Sequence, residues 1–169
     1  QMRVHPTLIP KTRLLANVDG VMNAVLVQGN AVGSTLYYGA GAGDEATASA
    51  VIADLIDVIK GTVSGDVLGW KSFVAMPCQN YNDIESIFYL RLLATDKPGV
   101  LADITAIFAN HNISVEAVVQ KQIDEQDNAH IAIITNQVKT GDIQAAVAEI
   151  QNHDFIQEKI KIIHVETLD

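Results

Sequence analysis

The turn Asp96-Lys97-Pro98-Gly99-Val100-Leu101 places a carboxylate, an ammonium and a glycine between an alternating apolar run and a helical one. Backbone N–H groups at a helix start attract a carboxylate, and Gly99 would let a ligand approach the main chain closely. Asn112 and Ser114 stand at the entry to the following strand, and we expect them near the same end of the unit, able to read a ligand's polar groups. From spacing alone a plainer reading comes first, in which Pro98 and Gly99 only shape the turn and Asn112 ends the helix. A second group, Gly39-Ala40-Gly41-Ala42-Gly43, leads into a helix from about Thr47. Its glycines are two apart, unlike the dinucleotide fingerprint with its longer second gap, and Asp44 and Glu45 would repel a pyrophosphate. Backbone amides ahead of Thr47 could still touch a cofactor. The alternative is a tight turn that lets the helix pack close to a sheet.

No residue acquires a catalytic role on physical grounds. Lys11 follows Pro10 and reads as a solvated turn lysine. His111, His130, His153 and His164 are too scattered for ligand spacing, so no metal site is expected, and His5 reads as a packed or surface histidine. Cys78 has no activating neighbour and no partner for an internal disulfide, which fits a reducing cytosol. Trp70 and Phe73 are expected to anchor a connector.

The elements that must position these groups follow from periodicity. Residues 21–27 and 32–38 are rich in β-branched and aromatic side chains and flank Gln28-Gly29-Asn30-Ala31, which predicts a hairpin in need of a larger sheet. Val51, Leu55, Val58 and Ile59 fall on one helical face, widened by Ile52 and Ile56, so the helix over 47–59 is expected to be buried around most of its circumference. Residues 61–77 carry glycines with no clean period and read as a connector. Phe88, Leu90, Leu92 and Ala94 alternate in a strand over 86–95, and Leu101, Ile104 and Phe108 mark a helix ending near Asn110. Ile113, Val115, Ala117 and Val119 alternate in a second strand, and 124–128 is a polar turn. Residues 129–136 make a third strand, Ile143, Ala146, Val147 and Ile150 a second helix, and 160–166 a last strand. The order β-α-β-β-α-β predicts a ferredoxin-like antiparallel sheet with both helices on one face. Its edges would be unpaired in one copy, so a dimer is expected.

The chain has 169 residues, 49% of them apolar, enough for one large or two small domains. Twenty acidic residues against eleven basic ones give a net charge of -9, which disfavours nucleic acid and anionic membranes as partners. No apolar run reaches the roughly 20 residues of a membrane helix. Residues 1–10 lack a cleavable apolar core, so no signal peptide and a cytoplasmic location are expected. Residues 3–10 read as an extended segment already in progress, as in a piece of a longer protein.

Phe88-Tyr89-Leu90-Arg91-Leu92, Asp96-Lys97-Pro98-Gly99-Val100-Leu101 and His111-Asn112-Ile113-Ser114 closely resemble an ACT domain, a regulatory amino-acid-binding module. The resemblance implies effector binding by Asp96, Lys97, Pro98, Gly99, Val100, Leu101, Asn112, Ile113 and Ser114, across a dimer interface. In the first half, Val4-His5-Pro6-Thr7-Leu8-Ile9-Pro10, Val18-Asp19-Gly20-Val21-Met22-Asn23-Ala24, and Tyr38-Gly39-Ala40-Gly41-Ala42-Gly43 with Thr47-Ala48-Ser49-Ala50-Val51 resemble the closing portion of homoserine dehydrogenase. This implies a mixed α/β remnant of the substrate and nucleotide-binding region over 1–60, a connector over 61–85 and an ACT domain over 86–169. It implies that Gly41, Ala42, Gly43 and Thr47 border NAD or NADP in the parent, with no cofactor held tightly by this piece. The parent would interconvert L-homoserine and L-aspartate 4-semialdehyde under feedback by an amino acid, threonine first. The catalytic lysine and acidic residues would lie upstream of Gln1, leaving this piece inactive. A stand-alone ACT-type regulatory subunit is the alternative, and it would need residues 1–60 to close a core by themselves.

Overall fold

The computed structural model describes residues 2–61, 75–123 and 127–168. Most of the expected connector, with Trp70 and Phe73, and part of the polar turn over 124–128 lie outside the described residues. Two compact units form, one from Gln1–Pro10 with Pro77–Asp169 and the other from Lys11–Met76.

The larger unit is built on β4 (Glu85–Thr95), α2 (Val100–Asn110), β5 (Val115–Ile123), β6 (Asn128–Thr135), α3 (Thr140–Gln151) and β8 (Lys161–Val165). Its sheet runs β8-β4-β6-β5, all antiparallel, which is the ferredoxin-like arrangement the element order predicts. The alternating side chains of β4 explain why: Phe88, Leu90, Leu92 and Ala94 are buried in one cluster with Ile104, Ile107 and Phe108 of α2 and Ile143, Ala146 and Ile150 of α3. Both helices therefore cover the same face. Buried hydroxyls fix the strand ends, since Thr135 Oγ1 accepts from the Phe88 N–H at 3.1 Å and Thr140 Oγ1 donates to the Ile84 carbonyl at 2.8 Å. The short β7 (Val138–Lys139) pairs with the start of β4.

Two expectations need correction here. One edge of the sheet is not unpaired, because β1 (Thr7–Leu8) adds to β8 in parallel register. The simple alternation of the second strand also fails. A register shift between Val115 and Ala117 turns the strand over, so Val115 packs against the core while Val119 pairs with Ala132 on the open face and is half exposed. A bulge of this kind inserts one residue and reverses the facing of all that follow.

The smaller unit holds β2 (Met22–Gly29) and β3 (Gly33–Ala40), an antiparallel hairpin, and α1 (Asp44–Ile59). The hairpin is as expected. The helix is not buried around most of its circumference: every residue of α1 is exposed or half-buried, with Val51, Ile52, Leu55 and Ile56 each 43–56% exposed. The apolar stripe is present, and among the described residues it is left uncovered.

Candidate functional site

The turn after β4 is fixed from both sides. The Asp96 N–H donates to the Asp127 carbonyl at 2.8 Å, and the Thr95 N–H donates to the Phe155 carbonyl at 2.8 Å. Gly99 then takes φ +100°, a conformation an L side chain rarely adopts, and its carbonyl accepts the Asp103 N–H at 2.9 Å to begin α2. Among the described residues no side chain caps α2; the Val100 N–H donates to the Lys97 carbonyl at 3.3 Å, and the next N–H groups of the first turn are left for a ligand or solvent. A cleft of about 410 Å³ opens at this point, lined by residues 95–101, Gln120, Ala129 and Ile131. Gln120 Nε2 donates to Asp96 Oδ1 at 2.9 Å, which orients the carboxylate.

The chemistry offered is that of a zwitterion site. A ligand carboxylate suits the helix start and the Lys97 ammonium, a ligand ammonium suits Asp96, and Val100, Ala129 and Ile131 provide apolar walls. Asp96 through Leu101 come together as expected. Asn112, Ile113 and Ser114 do not join them in one copy, a correction to the placement expected from sequence. Thr95 pairs with Asn128 at one end of β6 and Val115 with Thr135 at the other, so the two groups are separated by the length of that strand, roughly 20 Å. Asn112 instead takes φ +56° after α2, where its N–H donates to the Ala109 carbonyl at 3.0 Å and the Ile113 N–H to the Phe108 carbonyl at 2.9 Å. This pair of bonds closes the helix end and seats Ile113 in the core. Gln120 was not singled out from sequence, because its approach to Asp96 depends on how the strands pair across the sheet.

At the start of α1, Gly41, Ala42, Gly43 and Thr47 lie together and exposed. Gly43 takes φ +127°, and its carbonyl accepts both the Thr47 N–H at 3.0 Å and Thr47 Oγ1 at 2.7 Å. The Gly41 N–H donates to the Val21 carbonyl, and a Cβ at Gly41 would overlap the Asn23 side chain. Asp44 Oδ1 accepts the Glu45 N–H at 2.9 Å, and α1 carries both acids in its first turn and no base in its last. This geometry fits a neutral portion of a nicotinamide cofactor and does not fit its pyrophosphate.

The remaining candidates are dispersed. His111 Nε2 lies 2.8 Å from Glu149 Oε2, and His153 stacks on Phe155. The His5 ring lies against the His164 ring at a 37° tilt. Among the described residues no group of three or more His, Cys, Asp and Glu side chains is placed to hold a metal ion. Lys11 and Cys78 are exposed.

The βαββαβ sheet with a cleft at the start of its first helix is ferredoxin-like, and residues 88–155 match the ACT domain family. Residues 1–56 match the homoserine dehydrogenase family. The homoserine dehydrogenase of Neisseria gonorrhoeae is 44% identical over 99% of the chain, and that of Pseudomonas aeruginosa 43% over 100%. The crystal structure of a homoserine dehydrogenase from Thiobacillus denitrificans superposes with a TM-score of 0.84 at 44% identity, covering 99% of this chain and 39% of that one. The chain belongs to the homoserine dehydrogenase family and corresponds to a C-terminal portion of it, the end of the catalytic region followed by an ACT domain. It spans 40–41% of the length of those two relatives.

Proposed function

We propose that this chain is the regulatory end of an NAD- or NADP-dependent enzyme that interconverts L-homoserine and L-aspartate 4-semialdehyde, and that its ACT domain senses an amino acid, threonine first. The observation that carries this is the pairing of a homoserine dehydrogenase segment with an ACT cleft in which Gln120 holds Asp96 beside an uncapped helix start. A bound nicotinamide would supply the hydride acceptor or donor. The residues of this chain suited to it are Gly41, Ala42, Gly43 and Thr47, which can border the ring end of the cofactor. The residues that move the alcohol proton belong to the part of the family that this chain does not span, and alone it is expected to be inactive. Among the described residues of 2–61 none is buried, which supports a catalytic remnant over a stand-alone regulatory subunit with its own closed core.

A dimer paired along β5 completes the effector site. The β8 edge already carries β1, whereas β5 ends the sheet. Pairing open faces instead would set Arg91, Lys121 and Lys161, all exposed, against their own copies. A two-fold axis beside β5 makes the two edge strands antiparallel, so the start of one β5 lies by the end of the other. Asn112 and Ser114 of one copy then approach the Gln120 end of the second copy's cleft.

Thermal unfolding with threonine, isoleucine, valine, methionine, serine and, separately, NADP tests the reading, because a ligand that prefers the folded state stabilises it by about 2.7 kcal/mol at 100 times its Kd. We expect a concentration-dependent rise with threonine, abolished in Asp96→Ala and weakened in Gln120→Ala. A rise with valine or isoleucine in place of threonine transfers the sensor to another pathway. No rise with any amino acid leaves an assembly module and sinks the sensing role.

A further inference from the structure

Residues 3–8 run along β8 as a strap whose chemistry effector sensing does not use. Thr7 and Leu8 pair with His164 and Val165, and the Glu166 N–H donates to the Leu8 carbonyl at 3.0 Å. Arg3 Nη2 donates to Glu166 Oε1 at 2.9 Å. The His5 ring lies on the His164 ring with centroids 4.1 Å apart and a 37° tilt. His164 is only 8% exposed; its Nδ1 is 3.1 Å from Ser86 Oγ, and Phe88 packs on it at 4.7 Å. His5 Nδ1 sits 3.1 Å from Thr7 Oγ1.

The groups facing His164 are therefore Arg3 and His5 from the strap, Glu166 from its own chain segment, and the uncharged Ser86 and Phe88 from β4. With His164 neutral, one guanidinium meets one carboxylate. A proton added to His164 leaves a cation with no further carboxylate to oppose it in a buried place. We propose that the strap is an acid-released latch, docked on β8 while His164 is neutral and freed when it is protonated.

The direction follows from linkage. Burial, then His5, then Arg3 push the His164 pKa below its ordinary 6.5, against an opposing effect of Glu166. The docked state therefore binds fewer protons than the released state between that ordinary value and the lowered one. Docking is strongest above the ordinary value and weakens as pH falls through the window, by at most about tenfold per pH unit for each proton taken up on release.

Amide hydrogen exchange on the 169-residue chain reads the latch at one bond, the Glu166 N–H that enters the strap. Protection factors, corrected for the intrinsic pH dependence of exchange, should fall at Glu166 between about pH 8 and about pH 5, with Leu90 and Ile133 still protected. His164→Gln should flatten the response, and His5→Gln should reduce it. The His5→Gln variant keeps the test decisive if the buried replacement fails to fold. Protection at Glu166 that stays constant, or falls in step with Leu90 and Ile133, overturns the latch. An unchanged pH response in His5→Gln does so too.

Discussion

Gly99 and Asn112 bracket α2, and each is set by its backbone. A Cβ at Gly99 would meet nothing within 4 Å, so Gly99→Ala carries strain and no clash. At φ +100° that strain should lower stability by about 1–2 kcal/mol, seen as a lower urea midpoint with an unchanged slope. Asn112→Gly should change stability by only a few tenths of a kcal/mol, because the left-handed position it occupies is one glycine adopts freely. A loss at Asn112→Gly as large as at Gly99→Ala would show that the Asn112 side chain holds something the helix-end bonds do not. At this scale the sequence was half legible. Asp96 to Leu101 are contiguous, so their grouping needed only the turn, whereas Gln120 reaches Asp96 across the sheet through a register that one strand cannot reveal.

The elements were more legible than the contacts between them. Strong periods in β4, α2, β6 and α3 come from side chains with one buried face, and their order alone restricts the sheet to a ferredoxin-like topology. The bulge in β5 was hidden because Val115, Ala117 and Val119 alternate as an unbroken strand would, and only pairing with β6 exposes the extra residue. The end-to-end separation of Asn112 from Asp96 was overlooked for a related reason: a βαβ crossover makes its strands parallel, so the turn after one and the entry to the next lie at opposite ends. In α1 the sequence shows the stripe and not its exposure, since amphipathicity says which face seeks cover and nothing about whether cover is there. An exposed apolar helix opens locally at little cost. Limited proteolysis should therefore cut within residues 11–61 well before it cuts within 86–166. Equal resistance of the two would favour a self-contained N-terminal unit and hence the regulatory-subunit reading.

At the scale of the whole molecule, the burial in the two units divides the family assignment into a part that stands by itself and a part that does not. The ACT sheet encloses Phe88, Leu90, Ile104, Phe108, Ile133 and Ile143 almost completely, while Val51 and Leu55 remain more than half exposed. If the proposed parent is right, the portion of the family that this chain does not span supplies the missing surface, and the same substitution must behave differently in the two settings. Val51→Asp and Leu55→Asp place charges on an already wet helix here, so each should shift stability by no more than about 0.5 kcal/mol in the 169-residue chain. In a full-length homoserine dehydrogenase carrying this C-terminal region, an unpaired carboxylate at either position would sit in an apolar interface and should lower stability by several kcal/mol, on the order of 3 or more, with loss of Tm and activity together. Matched urea unfolding of the two lengths measures the contrast. Equal and small effects in both would mean that α1 faces solvent in the intact enzyme as well, and its apolar stripe would then have to serve an association that the catalytic fold does not provide.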